Sequence, residues 1–158
     1  ALDRHLPLIE EAGKKGVQIL GLQEIFNGPY FCPSQDPKWY EATEACPGPV
    51  TAIMADYAKK YQMAIVVPIY ERDQPGVYYN TAAVIDADGT YLGKYRKTHI
   101  PDDPLYYEKY YFTPGDLGFQ CFATKYAKVG TPVKLIVRGK ELDAEIASMP
   151  FVPAKYKR

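Results

Sequence analysis

An excess of charge of either sign is missing from this sequence. Nineteen Lys and Arg are balanced by nineteen Asp and Glu. No global field therefore draws the chain to nucleic acid or to an anionic membrane, and none opposes self-association. Long hydrophobic runs are also missing: nothing approaches the roughly 18 residues that span a bilayer, and no secretory leader is expected. Cysteine is scarce. Cys32, Cys46 and Cys121 are an odd number without framework spacing, which excludes a disulfide scaffold and leads us to expect a reduced, cytoplasmic setting. Histidine is scarcer still, and His99 has no Cys or His partner at ligand spacing, so neither a metal nor a cofactor is expected. There is no internal repeat and no low-complexity tract. The chain begins at Ala1, as a processed product or a cut fragment would.

What remains is an ordinary globular composition. A chain of 158 residues, 47% hydrophobic and 24% charged, suits one domain. Fifteen Tyr and fourteen Pro point to long, well-packed loops, because tyrosine covers apolar surface while keeping its hydroxyl wet.

Periodicity gives the elements. Leu2, Leu6, Ile9 and Gly13 share a helical face, so residues 2–15 read as a helix that Gly16 ends. Residues 17–22 form a short apolar run, read as a buried strand. Residues 27–48, rich in Pro and Gly, are a loop long enough to be functional. Val50, Ile53, Met54, Tyr57, Ala58 and Tyr61 predict a second helix over about 49–61, with Pro49 in its first turn. Residues 63–70 are the next strand. Residues 78–85 and 90–95 form a hairpin across Asp88-Gly89. A second aromatic-rich loop covers 97–118. Val133 to Arg138 and Leu142 to Ala147 then pair across a Gly139-Lys140 turn. The Pro-rich Met149–Pro153 is expected to be irregular. The order is that of a layered α/β fold.

Three residues carry candidate chemistry. Glu24 lies just past the first strand's carboxyl end, where ligands bind in open α/β sheets; it is a general base, a cap or a solvated loop residue. Lys97 sits in a basic run with Lys94, Arg96 and His99, which is a solvated face, an anion site or a catalytic lysine. Glu108, among tyrosines, is a catalytic or a hydroxyl-bonded structural carboxylate. His99 reads as a structural donor.

Taken together, several strings resemble the nitrilase superfamily of carbon–nitrogen hydrolases. They are Leu22-Gln23-Glu24, Gly28-Pro29-Tyr30-Phe31-Cys32, Val67-Pro68-Ile69-Tyr70-Glu71-Arg72, Tyr79-Asn80-Thr81-Ala82, Gly93 to Pro101 and Phe112-Thr113-Pro114-Gly115-Asp116. The similarity covers residues 1 to about 130 and is strongest to the β-ureidopropionase and N-carbamoylputrescine amidase branch. It implies a Glu-Lys-Cys catalytic set and an αββα sandwich, of which this chain holds about half. Glu24 would be the general base, Lys97 the oxyanion stabiliser, and Glu108 the group that orients Lys97 and the substrate, a small N-carbamoyl amine.

The resemblance then breaks. Along the family pattern the nucleophilic Cys falls at position 134, and this chain has Lys134; Pro132 interrupts the strand that leads there. Neither Cys32, Cys46 nor Cys121 takes the position, and the family's first strand has no counterpart. Residues from about Tyr126 to Arg158 resemble instead the end of the glycine-cleavage T-protein, an aminomethyltransferase, through Val129-Gly130-Thr131, Val137-Arg138-Gly139-Lys140 and Met149–Pro153. The two resemblances overlap at Tyr126–Gly130, as a crossover would leave them.

These readings lead us to expect an α/β fold with two helices on one face of a mixed β-sheet, half of a nitrilase-like sandwich, plus a C-terminal β-hairpin. Residues 1–130 would form a partial nitrilase-like unit and 131–158 a T-protein-like hairpin packed with it. The function expected is that of a chimeric or truncated hydrolase whose activity is lost. The alternatives are an active amidohydrolase using another thiol and, more weakly, a folate-linked aminomethyl transfer module. With the second half of the sandwich reduced to a hairpin, the sheet face opposite the helices is expected to pair with a second copy in a homodimer.

Overall fold

The computed structural model describes residues 2–148; the irregular segment read at Met149–Pro153 lies outside the described residues. The chain runs through α1 (Leu2–Lys14), β1 (Ile19–Gly21), a 3-10 turn at Pro37–Ala42, α2 (Pro49–Tyr61), β2 (Ala64–Gln74), β3 (Val77–Ile85), β4 (Tyr91–Arg96), a 3-10 turn at Glu108–Tyr110, β5 (Pro132–Val137) and β6 (Lys140–Glu145). β1 to β4 make one sheet in sequence order, and β5 pairs only with β6 among the described residues. β1 runs parallel to β2, while β2–β3 and β3–β4 are antiparallel. The sheet is thus mixed.

Both helices lie on one face. Ile65, Val67 and Ile69 alternate along β2 to meet Ile9 of α1 and Met54 and Ala58 of α2, with Ala83 and Ile85 beside them from β3. α2 starts where it does because Pro49 occupies its first turn and the Thr51 hydroxyl accepts the Gly48 N–H at 2.7 Å. Glu44 accepts the Val50 N–H at 3.0 Å, which suits the positive end of the helix dipole.

Three local readings change. The first strand is three residues long and lies at the sheet edge, with Ile19 45% exposed; Val17, Leu20 and Leu22 of its apolar run pack partly buried against the helix-side core, so the run is not buried on both faces. β2 runs four residues past Tyr70, through Glu71-Arg72-Asp73-Gln74. The last turn is Arg138-Gly139, both at positive φ (50° and 77°), the geometry of a twist-matched two-residue hairpin turn; Lys140 already belongs to β6. Pro132 opens β5 opposite Glu145, a first-strand position that tolerates its missing N–H.

The far end of β2 is stabilised by charge. Glu71 is 1% exposed. It accepts from Thr81 Oγ1 at 2.6 Å, from Arg96 Nε and Nη2 at 3.0 and 2.7 Å, and from the Lys94 amine. Arg96 also donates to Asp73 and Asp116 at 2.7 and 3.0 Å, and its guanidinium lies 3.8 Å over the Tyr79 ring. Alternation explains the apparent basic run: Lys94 and Arg96 point to Glu71, whereas Tyr95 points to the other face and stacks on Phe119.

That other face is only partly covered. Val66, Pro68 and Ala82 remain half-buried, and the strip 119–126 crosses near β4. A Cβ on Gly93 would lie 2.8 Å from the Phe122 ring, so this close crossing requires glycine. No hydrogen bond joins residues 128–146 to the rest of the described chain.

Burial opposes the charged form of Glu71, but its bonds to Arg96, Lys94 and Thr81 outweigh that and hold its pKa below the ordinary value. Arg96 lowers Asp116 likewise. Groups with depressed folded-state pKa values contribute stability that is complete above the unfolded carboxylate range and is lost as pH falls through their folded values. Stability should therefore drop on acidification below about pH 4.5, and Arg96→Met should both flatten that dependence and cost about 3 kcal/mol or more at neutral pH. Urea melts of both proteins at several pH values measure this.

Candidate functional site

β4 delivers Lys97 to the site. Its backbone is held from both sides: the Lys97 N–H donates to the Asn80 carbonyl, and the Gly115 N–H donates to the Lys97 carbonyl, each at 2.8 Å. A Cβ at Gly115 would lie 2.0 Å from the Arg96 carbonyl oxygen, so the Thr-Pro-Gly-Asp string needs glycine there to approach β4.

Glu24 arrives from the opposite edge of the sheet. The chain leaves β1 and turns at 24–27, with Ile25 at φ 48°. Positive φ is an outlier for a β-branched residue and costs about 1–3 kcal/mol. It persists because Ile25 is buried with Phe31, Cys32, Tyr70, Ile100, Tyr111 and Phe112. This aromatic cluster forms the site's floor. Glu108 opens the short 3-10 turn above it.

The three side chains meet. The Lys97 amine donates to Glu24 Oε1 at 3.0 Å and to Glu108 Oε2 at 2.7 Å. Glu108 is 3% exposed, Lys97 31% and Glu24 43%, so the site has a buried anchor and an open carboxylate. Burial alone would lower the Lys97 pKa, yet the bonds to Glu108 and Glu24 win and raise it above the ordinary lysine value. The amine is a fixed positive charge at neutral pH.

Three further residues belong to the site and received no role from the sequence. Tyr30 donates its hydroxyl to Glu108 Oε1 at 2.9 Å, and burial followed by that bond raises its pKa. Asn80, 6% exposed, donates to Glu24 Oε1 at 2.5 Å. Cys32 is fully buried. Its thiol is pushed up to about 12 by burial, then by Glu108, with Glu24 adding to the effect. Their strings carried the family resemblance, but only tertiary structure shows that Tyr30 and Asn80 bond to the carboxylates and that Cys32 sits within their electrostatic reach.

The other candidates lie elsewhere. Lys134 is on the hairpin, ion-paired with Glu141 at 2.7 Å and 65% exposed. Cys46 sits against the Tyr91 hydroxyl at 3.8 Å, Cys121 is exposed, and His99 is exposed. No group of three His, Cys, Asp or Glu among the described residues is arranged to hold a metal.

The arrangement supplies an ammonium donor in a fixed place, a partly solvated carboxylate beside it and a buried carboxylate that neutralises it. Such a set can stabilise a developing oxyanion and move a proton.

Known proteins share much of this sequence and fold. Residues 1–135 match the carbon-nitrogen hydrolase family, a match that continues past the Tyr126–Gly130 string. An N-carbamoylputrescine amidase of Solanum lycopersicum is 46% identical over 127 residues, covering 80% of this chain and 42% of that protein. A beta-ureidopropionase of Arabidopsis thaliana is 38% identical over 133 residues, covering 83% and 33%. Among solved structures, a carbon-nitrogen hydrolase from Helicobacter pylori G27 superposes with a TM-score of 0.76 at 40% identity, over 82% of this chain and 44% of that one. The chain thus spans less than half the length of these relatives. By sequence and by fold it belongs to the carbon-nitrogen hydrolase family, the nitrilase superfamily.

Proposed function

We propose that this chain derives from a hydrolase of N-carbamoyl amines or amino acids, and that it has lost hydrolysis because no nucleophilic thiol serves its Glu24–Lys97–Glu108 site. The observation that carries the reading is the Lys97 amine held between the two carboxylates with none of the three thiols bonded to Glu24. In such a site Glu24 takes the proton of an attacking thiol, and later of water. Lys97 stabilises the tetrahedral oxygen, and Glu108 holds Lys97. Without a covalent nucleophile most of the acceleration goes.

The alternative is an active amidohydrolase using another thiol, and Cys32 is the one thiol near the site. Full burial and a pKa pushed up to about 12 leave it a neutral thiol at physiological pH, which disfavours attack. Neither Cys46 nor Cys121 bonds to the site.

The same proposal takes residues 131–158 as a T-protein-like segment added to, and packed with, a nitrilase-like unit of 1–130. In its favour, β5–β6 is a sheet of its own. A folate-linked transfer role would rest on this tail alone. Three unpaired thiols fit a reducing compartment such as the cytoplasm. We also infer a homodimer. Register places Val133, Leu135, Val137, Leu142 and Ala144 on one side of the hairpin, and Leu135, Val137 and Leu142 are each about half exposed. A lone two-stranded hairpin is marginal in water, and a second copy would cover this side together with the half-buried sheet face.

Three outcomes are expected. Ammonia release from N-carbamoylputrescine and from N-carbamoyl-β-alanine should stay at the uncatalysed rate; turnover that Glu24→Ala abolishes would overturn the reading. Lys134→Cys should not restore activity, because position 134 is a solvent-facing hairpin site; burst acylation of that variant by a carbamoyl substrate would contradict this. Sedimentation at tens of micromolar should give twice the monomer mass, and a monomer would sink the dimer.

A further inference from the structure

Four carboxylate oxygens surround Lys97, and three of them are occupied. Glu108 Oε1 accepts from Tyr30 and Oε2 from Lys97. Glu24 Oε1 accepts twice, from Lys97 at 3.0 Å and from Asn80 Nδ2 at 2.5 Å. Glu24 Oε2 alone has no hydrogen-bond partner among the described residues. An oxygen that accepts two bonds, one from a cation, is the poorer base; its unbonded twin is the better proton acceptor.

We propose that Asn80 is a positioning residue that selects Glu24 Oε2 as the proton-transferring atom of the site. This deepens, and rests on, the reading of Glu24, Lys97 and Glu108 as a carbon–nitrogen hydrolase site. Asn80 can do this because it acts at two points. It is central to β3, paired with Tyr70 of β2, and 6% exposed, so its carboxamide is fixed by the sheet. Its carbonyl accepts the Lys97 N–H, and its side chain grips Glu24. One residue therefore sets the height of the lysine backbone and the rotation of the carboxylate. The carboxamide faces Glu24 with its nitrogen, since its oxygen would be repelled there.

Oε1 is pinned by Asn80 and Lys97, whereas Oε2 is the unbonded oxygen of a side chain that is 43% exposed. A thiol or water entering there gives its proton to Oε2 and keeps the electron pair that forms the new bond to the carbonyl carbon, while the C=O π pair moves onto oxygen as the tetrahedral oxyanion. Loss of the Asn80 donor frees the carboxylate to rotate, which weakens its hold on Lys97.

Lys97 reports this without any turnover. Its amine is protected by the two carboxylates, so acylation by acetic anhydride at pH 9 is measured by peptide mass spectrometry, with Lys38 and Lys60 as internal references. Asn80→Ala should raise the relative Lys97 rate about threefold, the change in free amine from a loss of about half a pK unit. Asn80→Ser, which keeps a shorter donor, should fall between. A lowered melting temperature with an unchanged Lys97 rate would reduce Asn80 to a structural residue and overturn the proposal. Glu108→Gln separates the two readings: it should raise the Lys97 rate whatever Asn80 does, and no rise there would overturn the site itself. Should the Asn80 variants not fold, Glu24→Ala alters a loop side chain and leaves β3 intact. In its NMR spectrum the Asn80 carboxamide protons should shift upfield from their wild-type position, and an unmoved signal would overturn the proposal.

Discussion

A single ammonium group joins segments that are far apart in sequence. Lys97 bonds to Glu24, 73 residues earlier, and to Glu108, 11 residues later. Glu108 is almost fully buried, and a buried carboxylate without a partner is strongly destabilising. Closing the aromatic floor over Phe31, Tyr70 and Tyr111 therefore depends on Lys97 being in place. Lys97 is in place because β4 is held at its backbone by Asn80 and Gly115. The same contacts that complete the fold assemble the site.

A second charge cluster lies one residue away and does different work. Arg96 and Lys94 turn to the helix-side face and neutralise Glu71, with Asp73 and Asp116 at the margin. This pairing lets β2 and β3 continue past the apolar core, and it fixes the strand from which Lys97 leaves. Strand alternation keeps the two clusters apart: the residues at 94 and 96 serve the sheet, and the residue at 97, where the strand ends, serves the site.

Much of this was legible in the sequence where the signals are local. The stripe from Val50 to Tyr61 is α2, and Asp88-Gly89, with Gly89 at φ 90°, turns the β3–β4 hairpin. Ile53, counted in that stripe, is 36% exposed, because a stripe shows a helix without showing how wide its buried face is. The extension of β2 through Glu71–Gln74 was not legible, since Glu71 and Asp73 are neutralised by residues more than twenty positions away. The edge position of β1 was hidden for a similar reason: an apolar run does not reveal how many strands flank it. At the site, Glu24, Lys97 and Glu108 stood out through family resemblance. Asn80 and Tyr30 lay in the same strings, but their work is a tertiary hydrogen bond that no spacing encodes.

Cys32 is brought to the site by the fold and kept neutral by burial, while Lys134 lies on the β5–β6 hairpin with its own ion pair. Around one amine lies a preorganised electrostatic arrangement. An NMR titration of Lys97 Nζ tests it most directly. With the amine shared between two carboxylates, its midpoint should lie above the ordinary lysine value of about 10.4. A midpoint at or below that value would mean that burial prevails and that Glu24 and Glu108 do not hold Lys97.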